Sequence, residues 1–238
     1  MPKHGISQEQ LKLIACVSML IDHIGVFFVL NAYNQASGAA KAELFEIYKM
    51  LHTIGRLAFP IYCFLLVEGV FHTGNSTKYG IRLLIGALLS EIPFDLVCYG
   101  RINIEEQSVM VTILLGFVML LAFKKSSNLL LKLLIVAPFA MLAEQLHGNY
   151  GYPGILTIAA FALTRDLQHK FIWQAFLLWF IFSPNHQMLL NWLGGSGCTI
   201  QELCMFSLLP ISLYDGRKAT KSKLTQWAFY LFYPVHLS

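Results

Sequence analysis

Leu11-Lys-Leu-Ile-Ala-Cys-Val-Ser-Met-Leu-Ile-Asp-His-Ile-Gly-Val-Phe-Phe-Val-Leu30 decides how the rest of the chain is read. This run holds one lysine, one aspartate and one histidine, and is otherwise apolar or small. About 20 such residues cross the hydrocarbon layer of a bilayer as a helix. No small-residue cleavage site follows, so the run is expected to stay as a first membrane helix and not to be removed as a signal peptide. The same composition extends outward. Of 238 residues, 56% are hydrophobic and only 13% charged, against roughly 25% charged in water-soluble domains. Mean hydropathy is +0.59. Too few polar residues remain to coat a surface facing water, and lipid is the expected solvent. The net charge of +4 is spread between apolar runs, which excludes a nucleic-acid-binding patch. Five cysteines, Cys16, Cys63, Cys98, Cys198 and Cys204, show no metal-ligand spacing. They read as reduced thiols packed against neighbours, and no metal is expected.

Apolar runs predict about nine spans, near 9–31, 50–72, 78–99, 109–123, 128–147, 151–165, 170–184, 198–213 and 222–238. The expected fold is all-α, a polytopic bundle forming one transmembrane domain over residues 1–238. The longest polar stretch, Asn31 to Lys49, has room for a short helix. Leu193-Gly-Gly-Ser-Gly197 is a loop signal.

Basic residues set the orientation, because cytoplasmic loops are enriched in Lys and Arg. With nine helices, the N-terminus and even-numbered loops hold Lys3, Lys12, Lys78, Arg82, Lys124, Lys125, Lys132, Arg165, Lys170, Arg217, Lys218, Lys221 and Lys223, which is 13 of the 17. The other side holds Lys41, Lys49, Arg56 and Arg101. The N-terminus is therefore expected in the cytoplasm, and the protein in a bacterial inner membrane.

Charged groups inside a bilayer cost at least about 2.5–3.5 kcal/mol each, so each is either functional or held in a structural pair. Asp22 and His23 lie in the outer half of the first span. Lys12 precedes His23 by eleven residues, three helical turns, and shares its face. An imidazole beside a carboxylate is suited to moving protons near neutral pH. Adjacent helical residues diverge by about 100°, however, so Asp22 is expected to pair with another helix. Arg56 can clamp a carboxylate or a developing oxyanion, or form a salt bridge to Asp22 or Glu91. Pro60 weakens the backbone ladder beside it. Glu68 is expected to pair with Lys12 or Arg82. Glu91 and Asp95, spaced i, i+4, share a face and call for a cation between them, with Arg56 the first choice. Asn103, Thr112, His147, Asn149, Tyr150, Tyr233 and His236 fall at outer helix ends, where aromatic anchoring is the simplest role for the tyrosines. Tyr79 and Arg82 fall at an inner end. So does the turn Tyr214-Asp-Gly-Arg217, followed by Lys218. This is either a plain basic loop or a contact for a phosphate-bearing ligand. Acid/base groups outside and cations inside suit a donor arriving from the cytoplasm. Transporters also use intramembrane Asp, Arg and His.

Several of these stretches, in order, resemble the TraX family. They are Leu11-Lys-Leu-Ile-Ala15, Met19-Leu-Ile-Asp-His-Ile-Gly25, Gly55-Arg-Leu-Ala-Phe-Pro60, Glu68-Gly69, Tyr79-Gly-Ile-Arg-Leu83, Ser90-Glu-Ile-Pro-Phe94, Tyr150-Gly-Tyr-Pro-Gly154, Tyr214-Asp-Gly-Arg217 and Phe232-Tyr-Pro-Val-His236. Each is short, but the series covers nearly the whole chain. The family is named for the protein that acetylates the N-terminus of F pilin. It is distantly similar to the integral-membrane acyltransferases of surface glycans, which carry a basic residue and a His three turns apart on the first helix, as Lys12 and His23 stand here. The resemblance implies an acyltransferase using acetyl-CoA, or another acyl-CoA, as co-substrate. The acceptor would be an amine or hydroxyl of an exported peptide, a pilin or a surface glycan. On that basis His23, Asp22, Arg56 and Glu91 are expected to be catalytic. Lys12, Tyr79, Arg82, Tyr214, Arg217 and Lys218 are expected to bind the donor. Glu68, Asp95, Thr112, Tyr150, Tyr233 and His236 are expected to line the acceptor side. A proton-coupled transporter and a non-catalytic partner of an export or conjugation complex remain the rival classes.

Overall fold

The computed structural model describes residues 5–103, 106–183 and 201–217, together with Phe229 and Phe232. Among these residues the fold is all-helical. No strand is present, only isolated bridges pairing Ile6 with Tyr214 and Gln107 with Gly148.

Helix α1 (Gln8–Ile24) starts at a capping box, in which Ser7 and Gln10 satisfy each other's backbone amides. It runs through a π-helical turn, Gly25–Val29, into α2 (Leu30–Gln35). After a break at Ala36–Ser37 come α3 (Gly38–Gly55) and α4 (Ala58–His72), separated by a turn at Arg56–Leu57. Pro60 accounts for that turn. It lacks the N–H that would bond the Arg56 carbonyl, and a proline is tolerated only in the first turn of the new helix. Then follow α5 (Ser76–Tyr99), α6 (Val109–Phe123), α7 (Leu129–Gln145), α8 (Gly151–Thr164), α9 (Lys170–Phe182), a 3₁₀ segment (Gln201–Ser207) and α10 (Leu208–Ser212). Asn75 and Asn128 cap α5 and α7 through side-chain oxygens, and Gly100 closes α5 in the left-handed conformation that glycine adopts without strain.

Helices occupy the first seven expected spans. The polar stretch 31–49 holds the helix it had room for, and more of it than expected. It is helical on both sides of Ala36–Ser37, so the second helical run begins at Gly38 instead of residue 50. Two runs, Gln8–Gln35 and Gly38–His72, are long and apolar enough to cross a membrane. Helices α6, α8 and α9 are apolar but have 15, 14 and 13 residues, short of the roughly 20 that a full crossing takes. The expected ninth span lies outside the described residues, apart from Phe229 and Phe232.

The chain forms two compact units. Unit 1 takes Met1–Tyr62 with Phe171–Ala219, and unit 2 takes Cys63–Lys170 with Thr220–Ser238. In unit 2, α6 and α8 form the interior. Gly116 lets them close, since a Cβ there would strike Ile158. Buried threonine hydroxyls on α8 turn inward to their own backbone, Thr157 to the Pro153 carbonyl and Thr164 to that of Ala160, which satisfies them without water. In unit 1, α1 packs on α3. The expectation of free thiols holds for Cys16, Cys63 and Cys204, all buried.

Large apolar side chains stand outside at helical spacing. On α1 and the π-helical turn that continues it they are Leu13, Val17, Leu20, Ile24 and Phe28; on α5, Ile81, Ile85, Leu88, Ile92 and Leu96; on α9, Ile172, Phe176 and Trp179. Phe28, Leu88 and Ile172 leave 71%, 64% and 69% of their surface uncovered. Contiguous apolar stripes of this kind are not left facing water. The helices are of the membrane-associated type.

Candidate functional site

Two glycines and a serine bring α1 against α3. A Cβ on Gly25 would sit 3.0 Å from Leu51, and one on Gly55 would collide with Asp22. Ser18 donates its hydroxyl to the Ile54 carbonyl, and the Cys16 thiol lies 3.1 Å from the Tyr62 hydroxyl. This close approach buries Asp22, which stays 8% exposed.

The Asp22 carboxylate is shared between two groups one helical turn apart. Its Oδ1 lies 2.6 Å from His52 Nδ1, and its Oδ2 accepts from Arg56 Nη2 at 2.8 Å. A carboxylate only accepts, so Nδ1 of His52 carries the hydrogen and Nε2 is the nitrogen suited to taking a proton. The His52 ring stacks on Tyr48 with centroids 5.2 Å apart. Arg56 caps the C-terminus of α3, where the helix dipole favours a cation. The π-helical turn begins three residues after Asp22; such turns recur at functional sites. His23 is half-buried and packs on Phe27, with centroids 5.6 Å apart. Lys12, also half-buried, lies on the same helix face.

Asp22 thus pairs across helices as expected, and of the two partners named for Arg56 it is Asp22 that Arg56 takes. His52 was not singled out from the sequence. Its spacing from Arg56, i, i+4 on one helix, was the available signal.

The other acids are held differently. Glu91 accepts the backbone N–H and the hydroxyl of Ser108, at 3.1 and 2.6 Å. Asp95 is 4% exposed and accepts the Asn103 N–H at 3.0 Å. The cation expected between them is therefore replaced by amide and hydroxyl donors from the α5–α6 loop. Glu68 pairs with Arg165 Nε at 3.3 Å and lies 3.5 Å from His72 Nδ1, in place of the expected Lys12 or Arg82. No local sequence signal links residues 97 positions apart.

Thr112 is fully buried beside Gly148, and its hydroxyl has no hydrogen-bond partner. The bridge between Gln107 and Gly148 ties the α5–α6 loop to the α7–α8 loop. His147 there has φ 48°, uncommon outside glycine. Tyr150 caps α8. The Tyr79 ring lies on Gly69, where a Cβ would come within 2.7 Å of the hydroxyl, which explains Gly69 after Glu68. Arg82 lies over the Tyr79 ring, 5.9 Å from its centroid. Tyr214 and Arg217 belong to unit 1. Arg217 donates to Asp215 at 2.6 Å and to the Gly5 carbonyl at 2.5 Å, fastening the N-terminal segment to the 211–217 turn. Lys218, Tyr233 and His236 lie outside the described residues. No cluster of three or more His, Cys, Asp or Glu suited to a metal occurs among the described residues.

The TraX protein family model matches residues 7–238. A relative described as "Probable fimbrial assembly protein FimC, serogroup H1", from Dichelobacter nodosus, is 27% identical over 251 residues, covering 98% of this chain and 93% of the relative. No solved structure matches.

Proposed function

We propose that this chain, which belongs to the TraX family, is a membrane-embedded acyltransferase that moves an acetyl group from acetyl-CoA to an amine or hydroxyl of an exported molecule. A pilin subunit is the first acceptor to try, given the fimbrial assembly relative. The observation that carries the reading is Asp22 shared between His52 and Arg56 at 2.6 and 2.8 Å within an apolar bundle.

The chemistry follows from that arrangement. The acceptor nitrogen or oxygen attacks the thioester carbonyl while His52 Nε2 takes its proton. Asp22 fixes the tautomer and supports the imidazolium that results. Arg56 has five N–H donors, one of them given to Asp22. It lies beside the imidazole, suited to charge developing on the carbonyl oxygen. The C–S bond breaks, and the departing thiolate recovers the proton. Asp22 holds His52, so His52 is the base of choice, with His23 the alternative. Lys12, Tyr214 and Arg217 of unit 1 and, separately, Tyr79 and Arg82 of unit 2 remain candidates for contacts to the donor, and Asp95, Thr112 and Tyr150 of unit 2 for contacts to the acceptor.

The exposed apolar stripes on α1, α5 and α9 support a multi-pass bundle of about nine helices in a bacterial inner membrane. The alternation of basic loops supports a cytoplasmic N-terminus.

The test uses the full chain in lipid nanodiscs with radiolabelled acetyl-CoA and a pilin peptide. Wild type transfers label. His52→Ala loses roughly 10²–10⁴-fold in rate, and His23→Ala loses less. No transfer by wild type to pilin or glycan acceptors rejects the reading. Substrate-driven proton flux without acetyl-CoA would favour a transporter.

A further inference from the structure

In unit 2 two basic side chains converge on one aromatic ring. The Arg165 guanidinium carbon lies 4.6 Å, and Lys124 Nζ 5.9 Å, from the Phe71 ring centroid. Each cation caps a helix C-terminus, Lys124 that of α6 and Arg165 that of α8, where the dipole favours positive charge. Lys124 Nζ also donates to the Val70 carbonyl at 2.9 Å, which fixes its position. Glu68 pairs with Arg165 through Nε and is also shared with His72. Glu68 takes Arg165 through Nε alone and Lys124 donates to a carbonyl, which leaves the forked Nη edge of Arg165 and the remaining Lys124 protons as further donors. The Arg165 side chain keeps 25% of its surface exposed, so a ligand can reach it. Phe71 supplies a flat aromatic floor whose face attracts both cations.

We propose that Lys124 and Arg165, gathered on Phe71, form a binding site for a phosphate group. A phosphate offers oxygens in several directions and takes a guanidinium fork and an ammonium together. Two sources share this chemistry, the nucleotide phosphates of a CoA thioester and the headgroup of an anionic phospholipid. Only the first rests on the acyltransferase reading. Glu68 acts as the built-in competitor, occupying Arg165 Nε until a ligand arrives.

The experiment uses the purified full chain with two probes. Free coenzyme A is titrated calorimetrically in neutral detergent. Retention of phosphatidylglycerol is measured by native mass spectrometry from nanodiscs made with and without that lipid. Wild type binds at least one probe. Lys124→Gln and Arg165→Gln each weaken that binding about tenfold, the loss of one charge-assisted hydrogen bond. Glu68→Gln tightens it several-fold, which a misfolded variant cannot do. Wild type binding neither probe, or all three variants matching wild type, overturns the site. Phosphatidylglycerol binding without coenzyme A binding keeps the site and assigns it to lipid. Coenzyme A binding that responds to these variants, in a protein that transfers no acetyl group, keeps the site while the acyltransferase reading fails.

Discussion

Asp22 in unit 1 and the acids of α5 in unit 2 carry the same chemical group in similarly apolar helices, yet their partners differ in kind. Asp22 takes an imidazole and a guanidinium from residues 30 and 34 positions away. Glu91 and Asp95 take amides and a hydroxyl from residues 17 and 8 positions away, in the loop that follows their own helix. Glu144 behaves like them, accepting the Tyr152 N–H from the first turn of α8. A carboxylate held by backbone amides fixes a loop. A carboxylate held by His and Arg orients a base next to a cation. Partner type therefore separates the proposed site from the loop-fastening acids better than burial does, since Asp95 is more buried than Asp22.

The largest expected effect breaks the first half of that comparison. Asp22→Ala leaves the Arg56 guanidinium without its carboxylate, and removing one partner of a buried pair costs roughly 3–5 kcal/mol. Thermal unfolding in micelles should show that loss, and acetyl transfer should vanish with it. If transfer survives in the folded fraction, Asp22 is scaffold. Gly55→Ala comes next. The added methyl meets Asp22, and overpacking costs about 1–3 kcal/mol. It should lower the melting temperature less than Asp22→Ala while still displacing His52 and Arg56, so transfer falls more steeply than stability.

The difference between the two regions was only partly legible in the sequence. Helix positions followed from apolar run length, and the resemblance to TraX followed from motif order. The need of Asp22 for a partner on another helix followed from the divergence of adjacent residues. His52 escaped notice because it sits at the polar start of a span, where a histidine resembles an interfacial residue, although its i, i+4 relation to Arg56 was there to read. The amide partners of Glu91 and Asp95 could not be read, because backbone donors leave no mark in side-chain identity. Arg165 as the partner of Glu68 depends on how α4 and α8 pack, which no local pattern encodes.

Glu91→Ala probes the second half of the comparison. It removes the acceptor of the Ser108 amide and hydroxyl at the start of α6, for a loss of about 1–2 kcal/mol. Hydrogen exchange at the Ser108 and Asn103 amides should speed up while the amides of α3 stay protected. Acetyl transfer by the folded protein should change little. Asp95→Asn is the mildest change and the sharpest discriminator. Asparagine keeps a carbonyl oxygen for the Asn103 amide, so the loop stays fastened and stability moves by less than about 1 kcal/mol. The second carboxylate oxygen of Asp95 is buried without a hydrogen-bond partner, and the substitution removes its negative charge. If Asp95 is scaffold alone, Asp95→Asn should transfer acetyl groups at the wild-type rate. If the variant melts like wild type but its KM for the acceptor rises, that buried oxygen meets the substrate. In that case the division between clamp and site runs through Asp95 itself, one oxygen holding the loop and the other facing the acceptor.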